Sequence, residues 1–232
     1  MQRLLFPALI LLTSTAWAGN RLDIVRVAFS PSGERVLAVV AGELDGSGFG
    51  AAHVDVLNTS TGATVYSTQQ DADATAPAVL AQLLTSAPVV NVFARSGLNP
   101  GLTSVPRYRR AYSTAYASWS DGIGTGQSRT TPVSFWTAGI TAPVQLSVFR
   151  LPSNCPADYL NPGDFPSGFR LSVRGRVVYQ DKALPAARNC AARYSLERVD
   201  VRGNRALFTL RAFGPGFEGP DADPVFVAVT LK

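Results

Sequence analysis

Six acidic residues stand near glycine-rich stretches toward the two ends of the chain: Glu43, Asp45 and Asp55 in one, Glu218, Asp221 and Asp223 in the other. Gly214–Asp223 reads GPGFEGPDAD, with three carboxylates on a Gly/Pro loop around Phe217. A hard cation such as calcium takes about six to eight oxygens from carboxylates and carbonyls on a flexible turn. Asp45, Glu218, Asp221 and Asp223 are therefore the metal candidates, with calcium the implied ion. Neither stretch has the spacing of an EF-hand or an RTX repeat. The competing reading is architectural: glycine supplies unusual backbone angles, proline blocks edge pairing, and the acids face water.

A second group lies mid-chain, where Arg107-Tyr108-Arg109-Arg110-Ala111-Tyr112 leads on to Tyr116 and Trp119. Tyr108, Tyr112 and Tyr116 share one face in a helix or in a strand, so periodicity does not choose between them. Aromatic faces stack on sugars or partner side chains, and arginines clamp anions. Tyr108, Arg109, Tyr112, Tyr116 and Trp119 are the candidate binding surface. The alternative is that the tyrosines cover a sheet edge with their hydroxyls in water.

Catalytic signatures are sparse. A serine nucleophile needs a base, and His53 is the sole histidine. It falls in a strand beside Asp55 on the same face, with no Gly-x-Ser-x-Gly elbow or Ser-x-x-Lys in the chain. Gly122–Gly126, GIGTG, lacks the lysine and the following helix of a phosphate loop. Paired carboxylates for hydrolysis are available in number, but their separation is a spatial property. No catalytic residue is assigned.

These groups sit in a chain that opens MQRLLFPALILLTSTAWAGN. One arginine, an apolar run and a small-x-small site form a secretory leader, with cleavage expected near Ala18 and residues 19–232 remaining. The absence of an arginine pair favours the general export route, and no later stretch has the length of a membrane span. The expected location is periplasmic or extracellular. The formal charge is +5, carried almost wholly by arginine. Residues 19–94 are net acidic and the rest net basic, yet export and the lack of a recognition motif argue against nucleic acid. Cys155 and Cys190 are the only cysteines; an even pair in an exported chain predicts one disulfide.

Ile24–Phe29 and Arg35–Ala41 read as strands joined by the type I turn Ser30-Pro31-Ser32-Gly33. His53–Leu57 and Ala63–Thr68 follow as strands. Thr75 to about Ser86 predicts a helix, ended by Pro88, and Val89–Ala94 predicts a strand. Residues 96–131 carry no clear pattern: Gly97–Pro106 reads as a loop, and Ser118–Thr131 is rich in Gly, Ser and Thr. Further strands are expected at Val133–Thr137, Val144–Leu151, Phe169–Val173 (with one wet face), Val177–Tyr179, Tyr194–Val201, Arg205–Phe213 and Val225–Leu231.

The two ends echo each other. Arg35 and Leu37 match Arg205 and Leu207, and Gly48-Phe49 matches Gly216-Phe217, each pair in a strand–turn–strand–loop–strand sequence. This implies two related β-units, about 19–95 and 132–232, within one β-rich domain. The segments FSPSGERVLAVV…DGSGF, ALPAARNC and GFEGPD also resemble the bacterial predicted secreted proteins of domain-of-unknown-function family 2259. Members tend to read Ser-Arg-Gly-Cys where this chain has Ala187-Arg188-Asn189-Cys190. The resemblance implies export and a shared fold and assigns no reaction.

The expected architecture is mainly β: an antiparallel sandwich-like or propeller-related unit with one short helix and one disulfide. The expected function is a non-enzymatic binding or structural module for an envelope protein or glycan, without a cofactor other than the calcium candidate. Alternatives are a calcium-stabilised carbohydrate-binding module and a hydrolase using paired carboxylates.

Overall fold

A computed structural model describes residues 19–136, 140–216 and 219–231. The expected leader, Thr137, Phe217 and Glu218 lie outside the described residues. In chain order the strands and helices are β1 (Asp23–Phe29), β2 (Arg35–Glu43), β3 (Gly50–Asn58), β4 (Thr64–Ala72), α1 (Ala76–Thr85), α2 (Ala87–Ser96), β5 (Tyr108–Arg109), β6 (Ser128–Val133), β7 (Ala142–Arg150), β8 (Ser167–Val173), β9 (Arg176–Gln180), β10 (Arg193–Arg202), β11 (Arg205–Pro215) and β12 (Pro220–Thr230). They form three four-stranded antiparallel sheets. The N-terminal sheet is β1-β2-β3-β4, the central sheet β12-β11-β10-β5, and the outer sheet β6-β7-β8-β9. The mainly β, antiparallel architecture expected from the sequence is observed; the N-terminal and outer sheets are meanders, whereas β5 joins the central sheet beside β10 with the whole outer sheet between them in sequence.

Side-chain alternation stacks these sheets. Leu37, Val39, Val54 and Val56 turn one face of the N-terminal sheet toward Val79, Leu83, Val89 and Phe93 of the helices. Its other face places Val27, Val36, Ala38 and Val40 against Leu207 and Ala228 of the central sheet. The opposite face of the central sheet carries Ala206, Phe208 and Leu210, which meet Val144, Leu146 and Phe169 of the outer sheet. The central sheet is thus covered on both sides. The β1–β2 and β10–β11 connections are tight turns: Gly33 precedes β2 at φ 75° and Gly203 precedes β11 at φ 58°, where glycine carries no Cβ penalty.

Two strand expectations are corrected. Val89–Ala94 is helical, inside α2, so the described residues hold two α-helices where one helix was expected. A continuous helix would drive the Pro88 ring into the Leu84 carbonyl. The chain avoids this with an extended Ser86 (φ −63°, ψ 140°) and restarts, with Pro88 in the first turn of α2. Val89 and Phe93, four apart, then face the core. The helices are bent by 61°, and among the described residues no single helix is long and apolar enough to cross a membrane. The strand expected at Val133–Thr137 instead ends at Val133 and begins at Ser128, inside the Gly/Ser/Thr-rich stretch. Its threonines pair with β7, register Thr131 to Val144. The expected wet face of β8 is also only partial, because Ser172 is buried while Arg170 is exposed.

The disulfide joins Cys155 to Cys190, with Cα atoms 5.1 Å apart. Next to it, the ALPAARNC segment inserts Arg188 into the protein. Its Nη1 and Nη2 donate to Asp181 Oδ2 and Oδ1 at 3.0 and 2.7 Å. Nη1 also donates to the Tyr194 hydroxyl at 3.1 Å.

Candidate functional site: an arginine cleft at the mouth of a buried ionic layer

The space between the N-terminal and central sheets is only partly apolar. A bulge in β10 shifts the register between Leu196 and Arg198. An extra residue in one strand lets two neighbours point the same way, and Glu197 and Arg198 accordingly both leave the apolar side to Leu196 and Val199. Arg211, fully buried, donates through Nε and Nη2 to Glu197. It also donates to the carbonyls of Ala222 at 3.1 Å and Leu22 at 2.7 Å. Arg198 makes a two-pronged pair with Asp200, at 2.7 and 2.8 Å. Buried charges persist when each is paired and hydrogen-bonded, and these are.

One edge of this layer opens as a cleft of about 380 Å³ lined by Arg21, Asp23, Arg109, Arg110, Tyr112 and Glu197. The Arg21 guanidinium lies 4.1 Å from the centre of the Tyr112 ring, and that of Arg110 at 5.1 Å. Such cation–π contacts hold both arginines in place. Only 7% of the Arg21 side chain is exposed, and its Nη1 has no hydrogen-bond acceptor; the nearest carboxylate oxygen, Asp121 Oδ2, is 3.7 Å away. That oxygen already accepts from the Ser118 amide at 3.2 Å. The Tyr112 hydroxyl meets Ser195 Oγ at 3.1 Å. Burial, and then Glu197, push its pKa up, which keeps it protonated.

The structure therefore brings together part of the aromatic–arginine set. Arg109 and Tyr112 share the cleft. Tyr108 turns toward the core between the central and outer sheets, and Tyr116 is 54% exposed. Trp119 packs against Ala117, Phe213 and Ala222. The three tyrosines do not share a face, because only Tyr108 and Arg109 form a strand and the chain beyond is irregular. Sequence reasoning missed Arg21 and Glu197. Arg21 comes just after the leader with no periodic signal, and Glu197 stands in a strand whose bulge the sequence does not announce.

The acidic loops meet in a different way. Asn20 donates its amide to Asp221 Oδ1 at 2.8 Å and accepts the Asp45 amide on its side-chain oxygen at 2.6 Å. Its carbonyl accepts the Ala222 amide at 2.8 Å. Residue 20 thus ties the β2–β3 loop to the start of β12. A Cβ on Gly19 would lie 2.1 Å from the Pro220 carbonyl oxygen, so this strap requires glycine at its first position. Among the described residues no three His, Cys, Asp or Glu side chains gather to hold a metal ion. Asp223 lines a cleft of about 210 Å³ together with Asp221 and also borders one of about 510 Å³ shared with His53, Asp55 and Tyr179. Burial and Asp221 push the Asp223 carboxyl above the aspartate range, and Arg211 and His53 pull it back. The residue is exposed, so solvent screening blunts that push.

His53 Nε2 lies 2.9 Å from Ser67 Oγ and 3.3 Å from Asp55 Oδ1. A triad needs serine and carboxylate on opposite ring nitrogens. Here both address one nitrogen, and the arrangement does not activate Ser67.

No curated protein and no solved structure gives a significant match to the chain. The family model described as "Predicted secreted protein (DUF2259)" matches residues 26–230, nearly the whole chain beyond the expected leader, and the chain belongs to that family.

Proposed function

We propose that this protein is a non-enzymatic exported module that binds an anionic component of the cell envelope at the Arg21–Arg109–Arg110 cleft. The observation that carries the reading is the gathering of Arg21, Arg109 and Arg110 on one cleft of about 380 Å³, where the buried Arg21 Nη1 has no hydrogen-bond acceptor and the single Asp121 carboxylate lies 3.7 Å from Arg21 and 3.9 Å from Arg110. A buried donor left unpaired is costly, and a ligand oxyanion satisfies it. Cofactor chemistry has no part in the reading.

Sedimentation of the leaderless protein with envelope membranes of its own cell tests this. Arg109→Ala/Arg110→Ala is expected to reduce co-sedimentation by roughly ten-fold, and salt near 0.5 M to do the same, as screening of partly exposed charges requires. Unchanged co-sedimentation of the double variant overturns the proposal.

A second reading, a hydrolase using paired carboxylates, draws on one observation. Asp55 and Asp223 line the same cleft of about 510 Å³, and burial and then Asp221 push the Asp223 carboxyl upward. Release of reducing ends from envelope polysaccharide, abolished by Asp223→Asn, is the outcome that supports it.

A further inference from the structure

The outer sheet carries a feature that the arginine cleft does not use. β8 and β9 are joined by Arg174-Gly175, with Val173 paired to Arg176 across the turn. A two-residue connection with positive φ at both positions is a type I′ turn, whose first position normally falls to asparagine, aspartate or glycine. Arg174 takes it at φ 51°, followed by Gly175 at 79°; Arg174 is the only non-glycine residue with positive φ among those described. The turn itself does not call for arginine. The Arg174 amide donates to Pro143 O at 3.0 Å, as the amide of any residue but proline would. Its side chain has no carboxylate partner among the described residues.

What the side chain does touch is an indole. The Arg174 guanidinium is 5.1 Å from the centre of a Trp136 ring. Trp136 is 45% exposed, yet its orientation is fixed: Nε1 donates to Gly203 O at 3.1 Å, and Phe135 lies against it at 5.4 Å. With Arg176, Val177 and Thr230 they line a cavity of about 340 Å³, within the range of small-ligand sites. Unfavourable backbone geometry survives where the surrounding structure enforces it, and it clusters at ligand clamps.

We propose that this cavity is a second binding site, for a carboxylate-bearing sugar. The apolar face of the ring lies against the exposed part of Trp136, and Arg174 with Arg176 holds the carboxylate. An indole offers a broad, pre-oriented apolar surface. A guanidinium both tolerates stacking beside it and matches a carboxylate two-pronged. The site is separate from the Arg21 cleft and shares none of its lining residues.

The test uses leaderless protein carrying Trp119→Phe, which leaves Trp136 as the only indole after Ala18. Its fluorescence is followed on titration with tetragalacturonate and, separately, with the neutral maltotetraose. A saturable response to the acidic oligosaccharide is expected, and at least ten-fold weaker binding of the neutral one. Arg174→Asn gives the decisive contrast: asparagine suits the turn, so Tm should rise by a few degrees while tetragalacturonate affinity falls at least ten-fold. Arg109→Ala/Arg110→Ala should leave this titration unchanged, which keeps its outcome distinct from that of the first cleft. The proposal is overturned if tetragalacturonate produces no response, if maltotetraose binds equally well, or if Arg174→Asn binds like its parent.

Discussion

Asp181 and Arg188 form a two-pronged ion pair with side chains 2% and 8% exposed, and two aromatic hydroxyls complete the cluster. The Asp181 carboxylate also accepts from the Phe169 amide at 2.9 Å and the Tyr179 hydroxyl at 2.7 Å. The segment that delivers Arg188 ends two residues later at the disulfide cysteine, Cys190. The arginine and the disulfide therefore fasten the same stretch, one by charge and one covalently.

Removing one member of this pair strands a buried charge. Asp181→Ala is expected to cost about 3–5 kcal/mol in urea unfolding with the disulfide intact. Asp181→Leu combined with Arg188→Met should lose less than Asp181→Ala alone, because neither charge is then left unpaired. Equal losses in the two proteins would refute an account in which the stranded charge dominates.

The same cluster contributes to stability at alkaline pH. Burial first, and then the hydrogen bond to Asp181, raise Tyr179 to about 12. Burial likewise raises Tyr194 to about 12, against the opposing pull of Arg188. In the unfolded chain both phenols ionise near the ordinary value of about 10. Their contribution to stability is therefore complete below pH 10 and is lost as pH rises through about 12. Tm should fall steeply across that window, and absorbance at 295 nm should show these tyrosines ionising late. In Tyr179→Phe the late phase should shrink.

The Asn20 strap makes a separate prediction. Asn20→Ala removes the acceptor of the Asp45 amide and should cost about 1–2 kcal/mol. Gly19→Ala should cost more, since its methyl group meets main-chain oxygen that has little room to yield. Thermal unfolding of leaderless protein measures both without disturbing export processing.

Calcium addition should shift Tm by less than about 1 °C, as should subsequent chelation, because linkage stabilises only through a site the ion occupies. Asp221 Oδ1 is engaged by the Asn20 amide, and Asp45 joins the same contact through its main chain. A calcium-dependent rise of several degrees, abolished by Asp221→Asn, would support the cation reading of these loops.

The strands were legible where turn chemistry bounded them: Ser30-Pro31-Ser32-Gly33 and Arg202-Gly203-Asn204-Arg205 mark hairpins that the structure contains. The second helix was not, since Val89, Val90 and Val92 favour a strand by composition and only Pro88 in a first turn argues otherwise. The ionic layer escaped for a different reason. Ser195, Glu197, Arg198 and Asp200 look like the wet face of a strand, and alternation does not distinguish a face turned to water from one covered by another sheet. Arg21 and Arg211 are 190 residues apart in sequence, and no local pattern predicts that both would border one layer.

The strap also bears on the order of events in folding. Asn20 and Asp221 lie 201 positions apart, and Leu22 and Arg211 189. A ribosome delivers the strap first and its partners last, so the clasp closes only when β12 has been made. Contacts of such long separation slow folding and leave sheet edges open until they form. A truncated chain lacking β12 would leave the β11 edge of the central sheet unpaired and the strap without its partner, and its failure should show as aggregation or degradation, before any loss of binding is measured.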